Sequence, residues 1–275
     1  MNKKKNKKAL EKYTDEELDY YLDKKKINDF KYYNENYEYI SPKEKIQIDN
    51  KFTKPRNKSQ KKYMEILNDF SQKIVIATGP AGSGKTLLAT EMGIKNFLEG
   101  KYEKLIFVRP AITTDEDIGF LPGTLEDKLG PFIRPLYDIL YNYITPQEVK
   151  ELIDEKIIEI APLAYMRGRT FKKCWIIADE MQNSSISQMK MMLTRLGEGT
   201  RLIITGDLEQ NDRHDEINGL QDFLFRFKNK TKILDLDTNY RKLESITSLE
   251  FNTNDIERSE VVKEVLNIYN LELKN

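Results

Sequence analysis

Gly79-Pro80-Ala81-Gly82-Ser83-Gly84-Lys85-Thr86 is the stretch on which the reading of this chain turns. It fits G-x-x-x-x-G-K-[ST], the phosphate-cradling P-loop, and it follows the β-prone run Ile74-Val75-Ile76-Ala77 as that pattern requires. Leu87-Leu88-Ala89, with Met92 and Phe97, then opens a helical pattern. Glycines let the backbone curl so that successive N–H groups face an anion, and the next helix adds its positive N-terminal end. In this loop Lys85 is the side chain expected to reach the β- and γ-phosphates, and the Thr86 hydroxyl is expected to hold Mg²⁺.

Outward from the loop, the sequence alternates between short apolar runs and helical patterns. Upstream, Tyr63, Ile66, Leu67 and Phe70 fall at i, i+3, i+4 and i+7, which predicts a helix leading into the first strand. Downstream strand candidates are Leu105–Val108, Ile157–Ile160, Cys174–Ala178, Leu202–Thr205 and Ile233–Leu236. Their nearly continuous apolar character suits strands buried on both faces of a parallel sheet. A helix is predicted over Ile186–Leu196, with Ser185-x-x-Gln188 as a capping box and Gly197 as its stop. The alternation predicts an α/β fold: an open, mostly parallel sheet with helices on both faces. Residues 1–55 read differently, as a charged, Lys-rich extension with one short helix from about 15 to 26, where Thr14-Asp15-Glu16-Glu17 forms a capping box. The catalytic domain is assigned to residues 56–275.

A P-loop alone implies only that a nucleoside triphosphate binds. Trp175-Ile176-Ile177-Ala178-Asp179-Glu180 adds an apolar strand ending in two acids. Asp179 is expected to help hold the Mg²⁺ that bridges the phosphates, and Glu180 to activate the attacking water. Leu202-Ile203-Ile204-Thr205-Gly206-Asp207-Leu208-Glu209-Gln210 is a second strand ending in a polar turn, where Gln210 could report the γ-phosphate or orient water. Ligands of open α/β sheets sit at the carboxyl ends of strands. Strands ending in Gly79, Asp179 and Gly206-Asp207 are therefore expected to converge on one crevice.

Composition bounds what surrounds this site. With 33% charged residues and no apolar run near the ~18 residues of a membrane span, a membrane protein is not expected. Cys174 is the single cysteine, which excludes an internal disulfide and points to a reducing, cytoplasmic setting. Net charge is zero but uneven: residues 1–58 carry 16 Lys+Arg against 11 Asp+Glu, leaving 29 against 34 in the remainder. Nucleic-acid contact is therefore expected to be local rather than a general coating.

Several further motifs occur in order: Arg109-Pro110-Ala111, Gly119-Phe120-Leu121-Pro122-Gly123 and Pro131-Phe132-Ile133-Arg134-Pro135-Leu136-Tyr137-Asp138. They continue with Pro162-Leu163-Ala164-Tyr165-Met166-Arg167-Gly168-Arg169-Thr170, Asp179-Glu180-Met181-Gln182-Asn183, Leu193-Thr194-Arg195-Leu196-Gly197 and Gly206-Asp207-Leu208-Glu209-Gln210. Over residues 56–275 the chain resembles the PhoH-like family of P-loop ATPases, related to the superfamily 1 helicase core. Met181 stands where that family usually has alanine, and Asn211-Asp212 is a slight departure after Gln210.

The resemblance implies a RecA-like P-loop NTPase that hydrolyses ATP with Mg²⁺, coupled to RNA binding, remodelling or unwinding. It implies that Gln60 reads adenine; the absence of a guanine-reading Asn-Lys-x-Asp motif also favours ATP. It also places an arginine finger in Asp255-Ile256-Glu257-Arg258-Ser259, at Arg258, with Arg241 as the competing candidate. Ser259 reads as the N-cap of a helix with Val262, Val265, Leu266 and Tyr269 on one face. Related helicases hold ATP between two cores, and this sequence holds one. A head-to-tail oligomer is therefore expected, a hexameric ring as in the family, with Arg258 acting on a neighbour's ATP. Arg109, Arg134, Arg167, Arg169 and Arg195 are candidates for phosphate contacts, Arg167-Gly168-Arg169-Thr170 foremost, with ion pairs as the alternative. Two other functions stay open: a ribonuclease with an ATP-binding core, for which the lone His214 excludes His-pair chemistry, and a regulatory ATP-binding switch.

Overall fold

The structure, a computed structural model, describes residues 51–110, 134–210, 217–257 and 261. The strands are β1 (Ile74–Thr78), β2 (Lys104–Arg109), β3 (Ile158–Pro162), β4 (Cys174–Ala178), β5 (Arg201–Gly206), β6 (Ile233–Asp235), β7 (Tyr240–Lys242) and β8 (Ile246–Glu250). Among the described residues they form an eight-stranded sheet in the order β3-β2-β4-β5-β1-β8-β7-β6. β1 to β5 and β8 run parallel, and β7 is antiparallel to both its neighbours. β5 lies between the P-loop strand β1 and the acidic strand β4, a RecA-like order.

Alternate residues of each central strand serve opposite faces, as a period of two requires. Val75 and Ala77 of β1, Leu105 and Phe107 of β2 and Trp175 and Ile177 of β4 belong to one apolar cluster. Helices α1 (Lys58–Asn68), α2 (Lys85–Leu98) and α3 (Pro146–Asp154) cover it with Tyr63, Leu67, Leu88, Phe97, Val149 and Leu152. Ile74, Ile76, Ile106, Val108, Ile176 and Ala178 face the other way, under α4 (Ile186–Leu193) and α5 (Gly219–Lys230). The mostly parallel sheet with helices on both faces is thus as the sequence predicts.

The edges are where the two differ. β7 and β8 carry no continuous apolar run. β8 is nevertheless a central strand beside β1, with Thr247 and Ser248 buried among its residues. Thr247 is tolerated there because its hydroxyl donates to the Arg241 carbonyl at 2.9 Å. β6, by contrast, is apolar but exposed at the sheet edge. α4 has its predicted capping box but ends at Leu193, not Leu196, and the chain then turns so that Leu196 bridges to Phe171. α1 stops at Asn68, so Phe70 lies beyond the helix, half exposed, near the Arg201 guanidinium.

Phe52 belongs to the first apolar cluster, and Thr53 donates from its N–H and hydroxyl to Glu91 at 3.0 and 2.8 Å. Packing of the domain therefore begins before the 55/56 boundary read from sequence. The predicted helices at 15–26 and after Ser259, the motifs at 119–123 and 131–133, and His214 lie outside the described residues. Among the described residues no helix is long and apolar enough to cross a membrane.

Candidate functional site

The parallel registers align the carboxyl ends of four adjacent strands. Thr78 of β1 pairs with Gly206 of β5, Ile204 of β5 with Ala178 of β4, and Ala178 with Val108 of β2. The segments leaving these strands thus meet on one rim: the P-loop after β1, Asp207 after β5, Asp179-Glu180 after β4, with Arg109 closing β2. A cleft of about 230 Å³ there is lined by Ala81, Gly82, Gly84, Lys85, Thr86, Asp179, Glu180, Asp207 and Gln210. The convergence expected from sequence is present.

The P-loop takes its shape from glycines at left-handed φ. Gly79 has φ 126° and is pressed against Phe251 at the end of β8, whose N–H donates to the Thr78 carbonyl at 2.7 Å. Gly84, at φ 88°, is the N-cap of α2 and brings no capping side chain, so the first amides of that helix are left for an anion. Lys85 is buried. Its ammonium donates to the Gly79 and Pro80 carbonyls at 2.7 and 2.8 Å and to Ser83 Oγ at 3.2 Å. Burial holds its pKa below the ordinary lysine value, against the opposing pull of Asp207, Glu180 and Asp179.

Thr86 Oγ1 donates to Asp179 Oδ1 at 2.8 Å, and Thr205 Oγ1 donates to the same oxygen at 2.5 Å. A hydroxyl and a carboxylate already joined at the head of α2 are the hard oxygen donors that suit Mg²⁺. Asp207, also buried, accepts from the P-loop Ala81 N–H and from Glu209 N–H, both at 3.1 Å. Gln210 closes that turn, its N–H donating to the Asp207 carbonyl at 3.2 Å, and its side chain is exposed.

Glu180 stands on the rim with φ 55°, a left-handed backbone that costs a non-glycine residue about 1 kcal/mol or more. Its Oε1 accepts from Arg109 Nη2 at 2.9 Å, and its Oε2 accepts from Gln182 Nε2 at 2.5 Å. Arg109 also lies 3.7 Å from Asp179 Oδ2. Gln60 is buried rather than exposed. Its Nε2 donates to the Ser83 carbonyl of the P-loop at 3.1 Å and its Oε1 accepts from Arg56 N–H at 2.8 Å. Met181, the departure from the family pattern, is fully buried in the second apolar cluster.

The other arginines separate. Arg169 forms a bidentate pair with Glu159 and lies 4.6 Å from the Phe171 ring, so the ion-pair alternative holds for it. Arg195 donates to the Met191 carbonyl at 3.2 Å, next to the end of α4. Arg134 and Arg167 are exposed. Arg241, the competing finger, donates to the Lys228 and Thr231 carbonyls at 3.3 and 3.0 Å. It caps the end of α5, away from the residues that line the cleft of its own chain. Arg258 lies outside the described residues. The residue before it, Glu257, donates its N–H to the Gly82 carbonyl of the P-loop at 3.1 Å. Thr205 and Gln182 are site residues that the sequence does not single out, and Asp207, expected at the crevice, has no role assigned from sequence. The one hydroxyl in the apolar run 202–205 was the available signal for Thr205.

The profile of the PhoH-like protein family matches residues 52–270. A PhoH-like protein of Synechocystis is 45% identical over 153 residues, 56% of this chain and 46% of that protein. The PhoH-like protein of Bacillus subtilis is 40% identical over 196 residues, covering 71% and 58%. Protein PhoH of Escherichia coli is 40% identical over 176 residues, covering 63% and 49%. The chain thus spans about half the length of the curated relatives it matches. Among solved structures, a Bacteroides Pif1 bound to ssDNA is similar at TM-score 0.33 and 17% identity, over 77% of this chain and 46% of that one. With its family profile matched over residues 52–270 and its P-loop seated against a paired Thr86 and Asp179, the chain belongs to the PhoH-like protein family.

Proposed function

We propose that this chain is a Mg²⁺-dependent ATPase whose turnover is coupled to binding or remodelling RNA. The observation that carries the hydrolytic part is the Asp179-Glu180 pair at the head of the P-loop helix. Asp179 is bonded to Thr86, and Glu180 projects on the rim beside it. In this reading Gly79 to Thr86 cradle the phosphates, and Lys85 turns from the loop carbonyls to the β- and γ-phosphates. Thr86 and Asp179 hold the Mg²⁺, which supplies charge neutralisation between the phosphates when bound. Glu180 orients and deprotonates the attacking water, Gln210 reports the γ-phosphate, and Gln60 reads adenine from the P-loop's flank. RNA contact is assigned to exposed cations such as Arg134 and Arg167. The regulatory-switch alternative is disfavoured by an intact Glu180, which a module that only binds ATP does not need.

The test is ATP turnover with and without RNA, on size-fractionated protein. Wild type should hydrolyse ATP, stop with a chelator, and turn over faster with RNA. Lys85→Ala and Glu180→Gln should be inactive, with Glu180→Gln still binding ATP. Turnover unchanged across several RNAs would remove the coupling, and full activity of Glu180→Gln would remove the hydrolytic assignment. RNA cleavage that survives Lys85→Ala would favour the ribonuclease alternative instead.

The arginine finger has two readings. In the first, Arg258 of one copy acts on the ATP of the next in a hexameric ring. The second, in which Arg258 serves its own P-loop, is favoured by the Glu257–Gly82 hydrogen bond immediately before it. Mixing Arg258→Ala with Glu180→Gln separates them: activity returns in the mixture only if the finger acts across an interface.

A further inference from the structure

Glu180 meets the rest of the cleft through a side chain that has no assigned role. Gln182 is 1% exposed, and its amide touches two functional strand ends at once. Its Nε2 donates to Glu180 Oε2 at 2.5 Å, and its Oε1 accepts from Asp207 N–H at 3.1 Å. The orientation of the amide is dictated by its partners, because a carboxylate only accepts and a backbone N–H only donates. A glutamine supplies donor and acceptor together at that reach. Glutamate lacks the donor, and methionine, of similar length, lacks both.

The backbone at the end of β5 is shaped around this side chain. A Cβ on Gly206 would lie 2.9 Å from Gln182 Oε1 and 2.6 Å from Leu220 Cδ2, so only glycine lets the amide lie flat against the strand end. Asp207 in turn holds the P-loop through Ala81 N–H, and its carbonyl accepts from Gln210 N–H. One buried amide thus connects Glu180 to the turn that carries both the P-loop anchor and Gln210. On the opposite oxygen Glu180 is held by Arg109, so Gln182 decides which way the second oxygen faces.

We propose that Gln182 is a positioning residue that sets the Glu180 carboxylate and couples it to the Asp207–Gln210 turn. Movement of that turn on nucleotide binding is then passed to Glu180 rather than to the P-loop alone. This rests on the assignment of Glu180 as the group that activates water, and the experiment keeps the two claims apart.

The measurement is steady-state ATP turnover beside the affinity for a non-hydrolysable ATP analogue, for wild type, Gln182→Met, Gln182→Glu and Glu180→Gln. Gln182→Met should lower kcat about 10- to 100-fold, the effect of removing one charge-assisted hydrogen bond, and leave analogue affinity within about threefold of wild type. Gln182→Glu keeps an acceptor for Asp207 N–H but sets a second carboxylate against Glu180, so it should lose kcat at least as far; analogue affinity and far-UV circular dichroism on the same preparations show whether each variant is folded. Adding Gln210→Ala to Gln182→Met should cost less than it costs in wild type, because the link it acts through is already cut. Wild-type kcat in a folded Gln182 variant, an equal loss of analogue affinity, or additive effects with Gln210→Ala would each overturn the proposal. Full activity of Glu180→Gln would instead overturn the assignment on which it rests.

Discussion

Gly79→Ala tests whether the P-loop is shaped by its contact with β8 or only by glycine's freedom. At φ 126° the backbone of Gly79 lies where L side chains are rarely found, a strain of about 1–3 kcal/mol for alanine. The new Cβ would also stand 2.9 Å from the carbonyl carbon and Cβ of Phe251, and closer still to its carbonyl oxygen. Phe251 cannot retreat easily, because its N–H is bonded to Thr78 and the preceding Glu250 is in register with Thr78. Overpacking of this kind adds about 1–3 kcal/mol. The sum, about 2–6 kcal/mol, should lower Tm by roughly 4–24 °C in a domain of this size. Gly168→Ala is the control. Its φ of 76° carries backbone strain, but nothing lies within 4 Å of its Cβ position. Thermal and urea unfolding of both variants isolate the contact as the difference between them. Equal destabilisation by the two substitutions would refute the steric part of the reasoning, and a change under about 0.5 kcal/mol for Gly79→Ala would refute it altogether.

Arg241→Ala should leave ATP turnover per folded molecule unchanged and cost about 1–2 kcal/mol of stability, since its guanidinium serves carbonyls at the end of α5; a fall in turnover without loss of stability would make it the finger in place of Arg258. Arg201→Met should cost about 2–4 kcal/mol in urea unfolding, because the buried guanidinium donates to the Ile66 and Leu67 carbonyls at 2.7 and 2.8 Å. Asp69, hydrogen-bonded by Ser71 and then by Lys242, has its pKa drawn down to about 2 from 3.8. A depressed carboxylate contributes stability above its unfolded pKa and loses it as pH falls toward the folded value. Asp69→Asn should therefore flatten the decline in stability between about pH 4 and pH 2, by a small amount at this solvent-screened site. An unchanged acid-unfolding curve would count against that assignment.

The nucleotide site was legible in sequence because its requirements are local. A P-loop needs glycines at positive φ between a buried strand and a helix, and Ile74 to Phe97 spell out strand, loop and helix in a single run. Asp179 and Glu180 were legible for the same reason, as acids ending an apolar strand. The flanks were harder. β8 is recognised by pairing, with Thr247 buried because a carbonyl 2.9 Å away accepts its hydroxyl, and no periodicity marks that. β6 misleads in the other direction, since its apolar residues stay exposed at an edge.

The arginines depended most on tertiary structure. Arg109, Arg169, Arg201 and Arg241 are the same residue type, and nothing in a linear pattern separates a guanidinium in the cleft from one that pairs with Glu159 or ends a helix. Which role each takes is decided by which carbonyl or carboxylate the fold brings within about 3 Å, over separations of up to 135 residues in the chain. Sequence alone determined that a phosphate-binding loop and its acidic partner strand are present and in order. Only the tertiary structure decided that β2 ends beside β4 on that rim, so that Arg109 and Gln182 reach Glu180 from opposite sides. Parallel strands can carry residues far apart in sequence to one rim, and hydrogen bonds of that range leave no trace in local composition.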